Sequence, residues 1–98
     1  MHGDYKQYYY NGVVQIEGTY YKGYYEGSWV YYDENGKVVG NGNFTAGTGV
    51  QRAWWPNGQL KRETNYLKNK KHGQEKWFDE TGKSEKELLF DQGVLVPQ

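Results

Sequence analysis

His2 and His72 are the only imidazoles in this 98-residue chain, and each stands directly before a glycine. A general base must lie within hydrogen-bond reach of the proton it takes. The sequence pattern brings no Ser or Thr near either histidine. The acidic pairs Asp33-Glu34 and Asp79-Glu80 recur at equivalent places, three and two residues before a glycine. Recurrence at one spot favours turn chemistry over paired-carboxylate catalysis. With no cysteine, thiolate metal sites and disulfide staples are excluded. No glycine-rich phosphate loop opens a helix, because no helical stripe of apolar residues is found. No catalytic residue, metal ligand or cofactor is assigned, and the chain reads as a non-enzyme.

Binding chemistry is better represented. The chain carries eighteen aromatic residues, eleven of them tyrosine, and ten of the tyrosines fall within residues 1–32. Aromatic rings with polar tips suit protein interfaces, since they bury large areas with few rotors to freeze. Twelve basic and twelve acidic residues cancel, which removes any whole-chain argument for nucleic acid or an anionic membrane. The distribution argues the same way. Residues 1–49 hold three Lys against five Asp and Glu, and residues 50–98 hold nine Lys and Arg against seven. The tyrosine-rich half is thus the acidic half, whereas a single-strand nucleic-acid groove needs rings interleaved with cations. The only polybasic stretch is Lys68-Asn69-Lys70-Lys71, too short for a strong lipid signal. Neither an apolar run of membrane length nor a signal-peptide layout is present, so a cytoplasmic location is the default expectation.

The elements that position these rings are written as a repeat. Gly12, Gly36, Gly58 and Gly82 are spaced by 24, 22 and 24 residues. Four residues before each stands Tyr8, Tyr32, Trp54 or Phe78, and eight after each stands Tyr20, Phe44, Tyr66 or Phe90. Nine before each lies a second glycine, at 3, 27, 49 and 73. Fixed-period self-similarity signals an array of one small unit. Glycine-bounded runs rich in β-formers read as eight strands, roughly 4–9, 13–21, 28–33, 37–45, 50–55, 59–67, 74–79 and 83–90.

The turn type follows from the residues around each anchor. Thr81 stands where the other copies have Asn, and a β-branched residue resists positive φ. Pro56 fits the second position of a type I turn. Together these predict a three-residue loop whose anchor glycine is a left-handed bulge. Tyr8 then lies opposite Val14, Tyr32 opposite Val38, Trp54 opposite Leu60 and Phe78 opposite Ser84. Continuing that register places both repeated aromatic sets on one face. The other face then holds Tyr5, Tyr9, Trp29 and Tyr31 in the first half, and Trp55 and Trp77 in the second. Between hairpins the pattern aromatic-x-x-Gly predicts a looser connection, decorated by Tyr24 and Tyr25 in the first case. Asn69 replaces the glycine in the third connection, and Asn tolerates the left-handed region.

Segments 20–38 (YYKGYYEGSWVYYDENGKV) and 66–83 (YLKNKKHGQEKWFDETGK) resemble the MORN-repeat variant found in bacterial antitoxin proteins of the YwqK type. The resemblance implies successive hairpins side by side in one elongated, twisted antiparallel sheet. The chain is accordingly expected to be a single all-β domain with repeats at about 3–26, 27–48, 49–72 and 73–93 and a capping strand within 94–98. The expected function is protein binding through Tyr5, Tyr9, Tyr24, Tyr25, Trp29 and Tyr31. The resemblance implies a toxin or another effector as partner, with a mobile-element inhibitor using the same physics. The alternative is a self-associating scaffold, with nucleic-acid or lipid binding a weaker third.

Overall fold

The computed structural model describes residues 2–97. Each anchor glycine adopts positive φ, 84–93° across Gly12, Gly36, Gly58 and Gly82. The turn around Gly12 is closed twice: its N–H donates to the Tyr9 carbonyl, and the Tyr9 N–H donates to the Val13 carbonyl. The same pair of bonds recurs at Asp33, Trp55 and Asp79. This is the three-residue loop with a glycine bulge that the sequence predicts. It joins β1 (Gly3–Tyr8) to β2 (Val14–Tyr21), β3 (Tyr24–Tyr32) to β4 (Val38–Thr45), β5 (Thr48–Trp54) to β6 (Leu60–Leu67), and β7 (Lys70–Phe78) to β8 (Ser84–Asp91). A two-residue β9 (Val94–Leu95) completes one antiparallel sheet in sequential order.

The four predicted cross-turn pairs are all present: Tyr8 with Val14, Tyr32 with Val38, Trp54 with Leu60 and Phe78 with Ser84. The predicted faces are not. One step beyond each pair the register slips, so that Gln7 faces Ile16 and Tyr31 faces Gly40. One extra residue is inserted in each even strand, at Gln15, Val39, Lys61 and Glu85. Because side chains alternate with period two, a single insertion exchanges the faces beyond it. Tyr8, Tyr32, Trp54 and Phe78 therefore point to one face, and Tyr20, Phe44, Tyr66 and Phe90 to the other. Tyr5, Trp29, Tyr31 and Trp77 join the second set instead of opposing it.

The connections between hairpins are tight, not loose. Lys22-Gly23, Ala46-Gly47, Lys68-Asn69 and Gln92-Gly93 all have positive φ at both positions, the signature of a two-residue hairpin turn matched to strand twist. Strands β3, β5 and β7 consequently begin two to four residues earlier than expected. The strained first residue of each turn is held by a bond from the copy's own entry. The backbone N–H groups of Lys22, Ala46, Lys68 and Gln92 donate to side chains of His2, Glu26, Thr48 and His72. Spacing is explained as well. The β4–β5 ladder is regular, whereas β3 and β7 each carry two extra residues against β2 and β6. Those extra pairs turn a 22-residue step into a 24-residue one.

The sheet curls toward the face of Tyr20, Phe44 and Tyr66. In a flat sheet β3 and β6 would lie about 14 Å apart, three strand spacings. Instead the Tyr25 and Tyr66 rings approach to 6.2 Å. The Asn69 side chain also accepts from the Tyr25 N–H and donates to the Gly23 carbonyl, at 2.9 and 2.8 Å. Glycines let the rings lie down on this inner face: a Cβ on Gly18 would sit 2.1 Å from the Trp29 ring, and one on Gly42 2.5 Å from Phe44. Trp29 and Phe44 are the most buried apolar residues, each 3% exposed.

Candidate functional site

The inner face divides into two zones along the sheet. The first is an open cleft of about 260 Å³ lined by Tyr5, Ile16, Tyr20, Tyr25, Trp29, Tyr31, Phe44 and Tyr66. Its rings contact edge to face, Tyr20 on Trp29 at 5.1 Å and 81°, Tyr25 on Trp29 at 5.1 Å and 67°. Such geometry adds to simple area burial because the ring edge is electropositive and the face electronegative. Trp29 forms the floor, with its indole N–H donating to the Thr19 carbonyl at 3.1 Å. Tyr5 and Tyr66 donate their hydroxyls to Gln7 and Gln51 at 2.7 and 3.0 Å. Among the described residues nothing pairs with the hydroxyls of Tyr20, Tyr25 and Tyr31. Burial pushes the Tyr31 phenol up to about 12, helped by Tyr66 and Tyr25 and opposed by Arg62. Burial, reinforced by Tyr25, likewise raises Tyr20 and Tyr66. All three are therefore neutral phenols at physiological pH.

The second zone is polar. Glu75, 2% exposed, accepts from Thr64 Oγ1 at 2.9 Å and Trp77 Nε1 at 2.8 Å, and pairs with Lys71 Nζ at 2.9 Å. Burial pushes its carboxyl up, but the donors Lys71, Trp77 and Thr64 outweigh burial and hold it below the ordinary range. The Arg62 guanidinium lies 5.3 Å from the Trp77 ring centre and the Lys86 ammonium 4.8 Å from it, while Lys71 covers Phe90 at 5.0 Å.

Of the six residues singled out from sequence, Tyr5, Tyr25, Trp29 and Tyr31 are brought together in the cleft. Trp29, 3% exposed, lies at the floor of the cleft beneath its neighbours. Tyr9 and Tyr24 lie elsewhere. The Tyr9 hydroxyl donates to the Tyr32 carbonyl at the bulged-turn end of the next hairpin, and Tyr24 pairs with Tyr21 across the first two-residue turn. Sequence reasoning missed Tyr20, Phe44 and Tyr66 as site residues because their periodicity was assigned to structure alone. They line the cleft as well as recurring with the repeat. The polar cluster around Glu75 was missed too, and only the buried position of a carboxylate reveals it.

Among the described residues no group of His, Asp and Glu is arranged to hold a metal ion. Among the described residues no helix is long and apolar enough to cross a membrane. No curated protein and no solved structure matches the chain. The family described as MORN repeat variant matches it four times, at residues 1–22, 25–46, 48–68 and 71–92. Each match spans one bulged hairpin and ends at or beside a two-residue turn, the unit that the hydrogen bonds delimit. Four matches over most of its length, each coinciding with one hairpin of the sheet, make this chain a member of the MORN repeat variant family.

Proposed function

We propose that the chain is a protein-binding module that receives a segment of its partner in the inner-face cleft. MORN repeats are repeat modules that often mediate binding. The observation that carries the reading here is a concave wall of rings with three phenol hydroxyls, those of Tyr20, Tyr25 and Tyr31, that pair with nothing among the described residues. Apolar area with a few convergent polar groups is the usual composition of a recognition pocket. In its finer form the reading is an inhibitor that covers a surface of a toxin or another effector, a reading supported by the likeness of segments 20–38 and 66–83 to antitoxin-type repeats. The test is affinity capture from an extract of the native host. Tyr25→Ala and Tyr31→Ala should weaken capture about tenfold or more, as interface anchors do. Tyr10→Ala, at a residue 93% exposed outside the cleft, should not. Equal capture by all three variants would sink the cleft as the binding surface.

A second reading, head-to-tail self-association, is favoured by the two ends of the sheet. Strand β1 has one neighbour among the described residues, and β9 covers only the Phe90–Asp91 end of β8. With β9 displaced from Phe90 and Asp91, transferring the regular β4–β5 register onto β8 and the β1 of a second copy sets Phe90 against Gly3, as Phe44 faces Gly49. The same register sets Glu87 against Lys6 and Asp91 against His2, which are complementary pairs. Light scattering across a concentration series decides this. Association that Lys6→Glu abolishes supports it, and a monomer throughout rejects it.

A further inference from the structure

Arg62 Nε is the one buried side-chain nitrogen or oxygen that lacks a hydrogen-bond partner among the described residues. Its place makes this informative. Arg62 stands opposite Ala53 on β5 and Trp77 on β7, in the same inner-face row as Thr64 and Tyr66. It is close enough to the cleft for its charge to act on the Tyr31 and Tyr66 phenols. Two cations, Arg62 and Lys86, bracket the single Trp77 ring. Neither forms an ion pair among the described residues, where the carboxylate groups engaged are Glu63 by Arg52, Glu75 by Lys71 and Asp91 by His72. Glu75 is already occupied by Thr64, Trp77 and Lys71. A guanidinium carries five donors in a planar fork that matches a carboxylate. Leaving Nε buried and unpaired is costly for folding, and the terminal Nη groups, which are not among the buried orphans, are the donors that a ligand can reach.

We infer that this end of the cleft takes the side-chain carboxylate of an acidic peptide segment of a partner protein, with Arg62 as its hydrogen-bonding anchor and Lys86 as a second cation. The segment's neighbouring apolar side chains lie in the tyrosine cleft, so the inference rests on the cleft being the binding surface. A single-stranded nucleic acid fits less well. It needs cations tracking a phosphate chain, whereas here the cations are confined to one end and a carboxylate, Glu75, lies among them.

The test is selection of a random peptide library over the full chain, with each peptide displayed internally so that no free terminal carboxylate is offered. Wild type should yield sequences with aromatic or aliphatic residues beside Asp or Glu, the acids enriched several-fold over the library. Arg62→Met should keep the apolar preference, lose the acid enrichment, and unfold at a temperature equal to or above wild type, since the orphan donor is gone. Lys86→Glu, a change at an exposed position, should lower the acid enrichment several-fold, and it decides the matter should Arg62→Met not fold. Apolar sequences without acids from wild type would leave the cleft standing and overturn the carboxylate site. Undiminished acid enrichment in folded Arg62→Met overturns it also. Recovery of no sequences overturns both readings. Salt-sensitive binding of an oligothymidine that Arg62→Met abolishes would give the cations to nucleic acid and likewise end the proposal.

Discussion

A glycine that faces the inside of a curled sheet is a packing residue, and Gly18 shows why. The Trp29 ring occupies the space where its Cβ would be, 2.1 Å from the nearest ring carbon. Gly18→Ala should therefore displace Trp29 and cost about 1–3 kcal/mol, the range for overpacking. Urea unfolding with tryptophan fluorescence reads both effects, and an unchanged midpoint would mean that Trp29 has another resting place. Glu75 makes a prediction of the opposite kind. Its folded carboxyl is held below the ordinary 4.5. The stabilisation is thus present above that value and is lost as pH falls through the folded one. Glu75→Gln should be less stable than wild type at neutral pH by about 1–2 kcal/mol. It should also lose less stability on acidification, so the two curves converge as pH falls below 4.5 and through the lower folded value. Parallel curves would show that another carboxylate governs the acid limb. Neither residue stands out in the sequence: glycine there reads as turn punctuation, and a lone glutamate in a charged stretch reads as surface.

Two kinds of turn alternate along the array, and they differ in how much the sequence discloses. The bulged turns were legible, because Pro56, Thr81 and four glycines at constant offsets from their aromatics jointly exclude the two-residue loop. The second bulge in each even strand was not. Its extra residue is Gln15, Val39, Lys61 or Glu85, four types with nothing in common, since a bulge of this kind needs no left-handed residue. That single unread feature moved Tyr5, Trp29 and Tyr31 to the wrong face, although their grouping was right. The two-residue connections were half legible. Their second position is Gly or Asn, but their first is Lys, Ala, Lys or Gln at φ near 50°, where only a neighbouring hydrogen bond justifies the strain. Asn69 carries the extra task of tying the first connection to the third. Asn69→Gly keeps the φ of 71° accessible but removes both side-chain bonds, leaving the Tyr25 N–H without its acceptor. A loss of about 1–3 kcal/mol is expected. Amide exchange should quicken at Tyr25 more than at Thr48, whose turn Asn69's side chain does not bridge. Equal protection at the two sites would show that the curl does not depend on this side chain.

Over the whole molecule the true period is two hairpins, not one. The first and third turns present a ring and an amide to the next hairpin: Tyr9 Oη and Asn11 Nδ2 donate to the carbonyls of Tyr32 and Glu34, and Trp55 Nε1 and Asn57 Nδ2 to those of Phe78 and Glu80. The second and fourth turns instead fold an aspartate back on themselves, Asp33 and Asp79 each accepting from the N–H groups two and four residues on. The two-residue excess of β3 and β7 follows the same alternation, so the natural unit is the 46-residue step from Gly12 to Gly58. Arrays whose repeats contact only their neighbours gain stability with each unit added in phase. Duplicating residues 13–58 in tandem should thus give a longer cooperative sheet with a higher thermal midpoint than the parent. Duplicating residues 13–36 adds as complete a hairpin but places two like turns side by side. One aspartate turn then meets another with no ring or amide reaching across, and two ladders with the two-residue excess occur without the regular β4–β5 type between their hairpins. That chain should melt below the 46-residue duplication, and below the parent if the mismatch outweighs the added hairpin. Calorimetry on the three chains settles which period the sheet obeys: a 24-residue duplication as stable as the 46-residue one would reduce the alternation to decoration.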